Sequence, residues 1–350
     1  NNDTIINYLL DILNNNNNEK EAIPGEEKYH FTNSKSLERF MVQLYACSLV
    51  NQYLCIVGPP GIGKTLGARK FAMIREKIKG IKYDSPFYMH TFNQSTLARD
   101  FFGTTCFKDK KIFFKDGTLT KSIKQGNVFI GDEFNISYQD VMKAIAPVLE
   151  LKFNEKIIIP GIEDKISINK DFFFIICQNP KETFGRNDLP EKIKTKIKVI
   201  EYPERIKEEI EKICERIWDD LFQGKNYCIM NREEAKKCGA FMMLLNENEL
   251  FTPWSLRDIS KLFKRIAKQS LKHDDYQNLG IKENILFYIL SSIESSLIEE
   301  RTKNIDELMK KTLGLQPQEE INLLSLYNSS PSIYVDNNNK IIIQKGTIKI

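Results

Sequence analysis

Tyr53-Leu54-Cys55-Ile56-Val57, followed at once by Gly58-Pro59-Pro60-Gly61-Ile62-Gly63-Lys64-Thr65, decides how this chain is read. The first five residues are a short apolar run, which reads as a buried parallel strand. The next eight fit G-x-x-x-x-G-K-[ST], and a helical pattern starts at Leu66 and continues to Lys77. Strand, glycine loop and helix in that order are the setting in which such a loop binds phosphate. The glycines let the backbone curl so that successive N–H groups point inward at phosphate oxygens. The helix behind them adds the positive end of its dipole. Gly58 through Leu66 are therefore expected to cradle a nucleotide. Lys64, taken as a surface loop residue, would reach the β- and γ-phosphates, and the Thr65 hydroxyl would ligate Mg²⁺.

Working outward, residues 34–51 form an amphipathic helical pattern leading into the first strand. Further strand-like runs fall at 87–92, 128–130, 172–177 and 199–202, with helical patterns between most of them. That alternation predicts an α/β fold, a three-layer sandwich with a parallel sheet covered on both faces. After Pro203 the pattern is helix-periodic, so an α-helical second domain is expected over 204–310. Residues 1–28 read as a short helix and an Asn-rich linker, with five asparagines from Asn14 to Asn18, which leaves 29–203 for the α/β domain. In the tail, 311–350, residues 332–335 and 340–344 flank Asp336-Asn337-Asn338-Asn339 as a β-hairpin would.

Net charge is +4 from 51 basic and 47 acidic residues, too mild to imply nucleic acid, and the Lys-Ile alternation reads as compositional bias. No run approaches the roughly 18–20 apolar residues of a membrane span, so no membrane partner is expected. Asn1-Asn2-Asp3-Thr4 shows neither a basic nor an apolar leader region. The chain begins without Met, and a segment of something longer or a processed product is expected. Seven cysteines without a C-x-x-C pair suit a reducing compartment, cytoplasmic or nuclear, and three distant histidines do not suggest zinc.

Val128-Phe129-Ile130-Gly131-Asp132-Glu133 carries an apolar strand into two adjacent carboxylates. Such a pair is often a solvated turn; behind a phosphate loop it has a task. Asp132 would hold Mg²⁺ through water, and Glu133 would act as general base toward the attacking water. The next buried strand runs into Gln178-Asn179-Pro180. Asn179 sits where ligands of parallel sheets bind and would touch the γ-phosphate or the lytic water. A turn-forming Asn before Pro is the plainer alternative.

With these residues in view, a family resemblance enters. The phosphate loop, the stretch from Asp116-Gly117-Thr118-Leu119 to Asp132-Glu133-Phe134-Asn135, and Gln178-Asn179-Pro180 with Gly185-Arg186-Asn187-Asp188-Leu189-Pro190 resemble the midasin or dynein-related branch of AAA+ ATPases, which also takes in MoxR-type relatives. The resemblance spans roughly residues 35–270. It implies a β-hairpin over 103–116 inserted in the helix after the second strand, and a second hairpin over 157–168 turning at Pro160-Gly161. It implies a lid in which Thr252-Pro253-Trp254-Ser255-Leu256-Arg257-Asp258 forms the second-sensor helix, with Arg257 on the ATP phosphates. Without the resemblance, Arg257 reads as a helix-surface arginine. Relatives carry arginines before the fifth strand as fingers for a neighbour's ATP. Here Lys194 and Lys196 stand in those places, so the finger is one of them, or Arg186, or that face is inactive.

The expected function is ATP binding and hydrolysis by a ring-forming module, in tandem copies or as a homo-oligomer, that remodels a macromolecular complex. The rival readings are a nucleotide-binding scaffold with little hydrolysis and a restriction-type GTPase or nucleic-acid motor on the same core.

Overall fold

The computed structural model describes residues 35–80, 85–151, 155–159, 165–181, 185–222, 231–247, 254–270, 332–335, 341–345 and 348–349. The expected N-terminal helix and Asn-rich linker, the Pro160-Gly161 turn, Thr252-Pro253, the helical pattern beyond residue 270 and the turn at 336–339 lie outside the described residues. The chain divides into two compact units, Asn1–Glu204 and Arg205–Ile350.

In the first unit, helix α1 (Lys35–Leu49) buries Leu37, Phe40, Met41, Leu44, Tyr45 and Ser48, the three- and four-residue rhythm of one apolar helix face. Asn51, left-handed at φ 56°, turns the chain into β1 (Tyr53–Val57). There follow α2 (Lys64–Lys79), β2 (Phe87–Thr91), α3 (Ala98–Phe102), β3 (Gly103–Lys108), β4 (Lys111–Asp116), α4 (Thr118–Gln125), β5 (Val128–Asp132), α5 (Gln139–Lys143) and α6 (Ala146–Glu150). The unit ends with β6 (Lys156–Ile157), β7 (Ile166–Ser167), β8 (Phe173–Gln178), α7 (Glu191–Lys194) and β9 (Ile197–Glu201).

Five of the strands make a parallel sheet in the order β2-β5-β8-β1-β9, flanked by helices. Burial follows position in that order. The inner strands are apolar on both faces, so Leu54, Cys55, Ile56, Phe129, Ile130 and all of Phe173 to Cys177 are shut away from water. Phe129 stacks on Phe174 across the sheet, ring centroids 5.4 Å apart. The edge strand β9 buries Ile197 and Ile200 but exposes Lys198, Val199 and Glu201. That mixed pattern is why its apolar run points to a start two residues too late.

β3 and β4 pair antiparallel from Gly103 opposite Asp116 to Lys108 opposite Lys111. Their two-residue turn puts Asp109 and Lys110 at φ 52° and 59°, positive at both positions, as the twist of a tight hairpin requires. β6 and β7 form a shorter hairpin, Ile157 opposite Ile166.

The described part of the second unit is chiefly helical: α8 (Lys207–Phe222), α9 (Arg232–Asn246) and α10 (Leu256–Ser270). Ile210, Ile213, Cys214, Phe241, Leu262 and Phe263 belong to its own core. Asn231 caps α9 by accepting the Glu234 N–H at 2.9 Å, while the Glu234 carboxylate accepts the Asn231 N–H at 2.7 Å, a reciprocal cap of two orphan donors. Near the C-terminus β10 (Ser332–Val335), β11 (Ile341–Lys345) and β12 (Ile348–Lys349) form an antiparallel sheet. Its third strand is additional to the two that the sequence pattern suggests. No helix among the described residues is long and apolar enough to cross a membrane.

Candidate functional site

β1, β5 and β8 are neighbours in the sheet, so the loops leaving their C-terminal ends meet at one edge. The glycine loop leaves β1. Gly61 and Gly63 take φ 74° and 109°, values that L side chains seldom adopt, and Gly63 then opens α2 by accepting the Gly67 N–H at 2.9 Å.

Lys64 is the first residue of α2 and is only 7% exposed, which corrects the expectation of a surface loop residue. Its ammonium folds back over the loop and donates to the Gly58 and Pro59 carbonyls, each at 2.7 Å, and to Asn179 Oδ1 at 2.8 Å. A charge this far from water needs such acceptors, and the loop itself provides two of them.

The end of β5 is built against this loop. Thr65 Oγ1 donates to Asp132 Oδ1 at 2.8 Å, and the same oxygen accepts the Glu133 N–H at 3.2 Å. Gly131 has room for nothing larger, because an added Cβ would stand 3.1 Å from both Ile176 and Phe92 side chains. Glu133 takes a left-handed backbone, φ 55° and ψ 34°, which swings its side chain out of the strand direction. Buried Phe134 fixes that corner with its ring edge-on to Phe92, centroids 4.9 Å apart.

Asn179, 2% exposed at the end of β8, joins the two groups. Its Oδ1 accepts from Lys64, and its Nδ2 lies 3.4 and 3.3 Å from the two Glu133 carboxylate oxygens. Its backbone carbonyl accepts Asn135 Nδ2 at 3.0 Å. The Asn of the Asp-Glu-Phe-Asn stretch is thus a strut between the β5 and β8 loops, a role that only the folded chain reveals.

Arg186 lies in the same cluster. Its guanidinium meets Glu133 Oε2 at 2.9 Å, with the two side chains 11% and 30% exposed. It therefore faces the base of its own unit here, not a neighbour. Lys194 is exposed and pairs with Glu191 at 2.8 Å on its own helix, a hydrogen bond that raises its pKa. Lys196 is exposed at the turn into β9. Arg257 is exposed in the first turn of α10. Cys55 and Cys177, on adjacent strands, are packed as small hydrophobes; burial pushes the Cys55 thiol up to about 12 and Cys177 up as well, so neither is a nucleophile.

The arrangement offers a buried ammonium, a hydroxyl and carboxylate side by side, and a second carboxylate aimed across an amide. These are the parts a triphosphate needs: positive charge and N–H groups for phosphates, hard oxygens for a divalent cation, and a base.

Comparison with known proteins agrees. Residues 53–196 match the model of the AAA domain, dynein-related subfamily. Midasin of Giardia intestinalis is 28% identical over 161 residues, covering 45% of this chain and 3% of that protein. Midasin of Dictyostelium discoideum is 22% identical over 269 residues, covering 75% of this chain and 4% of that one. The chain thus spans a few hundredths of the length of these relatives. Among solved structures, NtrX from Brucella abortus superposes with a TM-score of 0.54 at 15% identity, covering 81% of this chain and 62% of that one. A second NtrX structure, in complex with ADP, gives 0.51 at 14% identity, with 81% and 61% covered. At those identities the likeness concerns the fold. Taken with the sheet order and the converging loops, the match places this chain, through residues 53–196, in the dynein-related subfamily of AAA domains.

Proposed function

We propose that the first unit binds ATP with Mg²⁺ and hydrolyses it. The observation that carries this reading is the convergence of Lys64, Thr65, Asp132, Glu133 and Asn179, drawn from three adjacent strand ends, within a chain of hydrogen bonds. Gly58, Pro59, Pro60, Gly61, Ile62, Gly63 and Leu66 cradle the phosphates, and Lys64 neutralises the outermost of them. The Thr65 hydroxyl, already 2.8 Å from an Asp132 oxygen, fits a hard divalent cation, with Thr65 and Asp132 as its holders. When bound, Mg²⁺ supplies charge neutralisation on the phosphates. Glu133 takes the proton of the attacking water, and Asn179 orients that water or the γ-phosphate. That the curated relatives are midasins and a fold neighbour was solved with ADP supports the choice of an adenine nucleotide.

The larger reading follows from the subfamily. The second unit serves as a lid whose Arg257 reads the phosphates, and the AAA domain works in a ring with neighbouring modules, tandem or identical. Lys194 or Lys196 then stands at the finger position, and hydrolysis remodels a macromolecular partner in the cytoplasm or nucleus. The scaffold reading keeps one observation in its favour, since Glu133 is engaged by Arg186.

Calorimetric titration of MgATP into the full chain and into Lys64→Ala tests the core of this. Wild type is expected to bind at micromolar affinity and Lys64→Ala to lose binding, with a thermal melt verifying that the variant is folded at the assay temperature. Retained micromolar affinity in a folded Lys64→Ala protein would refute the site.

A further inference from the structure

The segment carrying Arg186 is tied to the turn that carries Glu133. The Asn187 N–H donates to the Asn135 carbonyl at 2.8 Å, and Asn187 Nδ2 to the Ser137 carbonyl at 3.0 Å. Gln139 Nε2 donates to the Asp188 carbonyl at 2.7 Å, and Leu189 is buried beneath. Gly185, at φ 75°, makes the turn into this docked stretch. All these contacts fall within the first unit. The arginine is therefore placed on Glu133 by its own fold, with no neighbour required.

That placement bears on chemistry. A general base must turn a carboxylate lone pair toward the water it deprotonates. Here Oε2 of Glu133 holds a guanidinium at 2.9 Å, and both oxygens lie within reach of Asn179 Nδ2. The same Asn179 accepts from Lys64 through Oδ1. A γ-phosphate arriving at Lys64 competes with Asn179 for the ammonium, and its oxygens compete with a single carboxylate for the guanidinium. Resting on the ATPase reading above, we propose that Arg186 is a positioning residue that latches Glu133 in cis and holds back hydrolysis until the γ-phosphate draws Asn179 and the guanidinium away.

The test uses the full chain under single-turnover conditions with MgATP, comparing wild type with Arg186→Ala, Arg186→Gln and Arg186→Lys. Arg186→Ala and Arg186→Gln are expected to hydrolyse about tenfold faster, the low end for a hydrogen bond to a charged group that is partly exposed. Their nucleotide affinity should stay within about threefold of wild type, since the latch bears on the base rather than on phosphate binding. Arg186→Lys should fall between, as an ammonium keeps the charge without the fork. The gain must vanish when Glu133→Gln is added, a coupling that a merely structural arginine would not produce. Slower or unchanged turnover in whichever of these variants melts like wild type would overturn the latch. If instead wild type and Glu133→Gln hydrolyse alike, the assignment of the base has failed, and the latch falls with it. Slow Glu133→Gln with no gain from Arg186→Ala sinks the latch alone.

Discussion

Asn179→Ala separates what the site does for the fold from what it does for chemistry. The variant deletes one acceptor of the Lys64 ammonium, at 2.8 Å, and two long contacts to Glu133. A hydrogen bond to a charged group is worth about 1.5–3 kcal/mol. Lys64 keeps the Gly58 and Pro59 carbonyls, so its charge is not stripped bare, and the lower end applies. Contacts of 3.3–3.4 Å add little, and the Asn179 carbonyl still accepts from Asn135. The expected loss is thus about 1.5 kcal/mol in the first unit, a fall of about 3–6 °C in its melting temperature at that size. Differential scanning calorimetry without nucleotide reads this directly. A change under about 1 °C would mean that the Lys64–Asn179 bond is not formed in solution, and one above about 10 °C that Asn179 carries far more of the fold than its partners account for. Steady-state hydrolysis should drop by about a hundredfold, the usual cost of one positioned polar group.

Two further outcomes follow from the same geometry. Glu133→Gln should bind MgATP as wild type does and stall hydrolysis, while Asp132→Ala should weaken binding in a Mg²⁺-dependent way; titrations with and without Mg²⁺ that gave both variants one defect would refute the division of labour. Lys194→Arg or Lys196→Arg should raise turnover where rings assemble and leave dilute chain unchanged, because only Arg offers the planar fork to a neighbour's phosphate. Hydrolysis measured against protein concentration checks this, and fast turnover independent of concentration in the wild-type chain would refute the need for a finger in trans.

The strands were legible in the sequence for a physical reason. Inner strands of a parallel sheet must be apolar on both faces, and Tyr53 to Val57, Val128 to Ile130 and Phe173 to Cys177 are uninterrupted apolar runs. The phosphate loop was legible because glycines at φ 74° and 109° have few substitutes. The short helices α3, α5, α6 and α7 span four or five residues each, less than the period needed to show an amphipathic face. The hairpin at β3 and β4 was visible through family resemblance rather than pattern, since its exposed Phe107 and Ile112 break the polar-out rule of a hairpin. Lys64 looked like a surface residue because burial of a charge depends on acceptors from 58, 59 and 179. The Glu133–Arg186 pair joins residues on separate loops, and nothing in their local sequence signals that meeting.

The sheet order has a consequence for how the chain is made. β1 stands between β8 and β9, partners that are translated more than a hundred residues later. At about 5–20 residues per second, β1 waits on the order of ten seconds on the ribosome before β8 exists to pair with it. β2 and β5 can join much sooner. Throughout that interval Leu54, Cys55 and Ile56, which end fully buried, remain as unpaired apolar strand, the kind of surface that chaperones shield and that aggregates when they do not. The nucleotide loop is among the earliest parts of the sheet to be synthesised, yet its lysine gains the Asn179 acceptor only once β8 is in place. A nascent chain stalled short of residue 173 has the motif but no pocket.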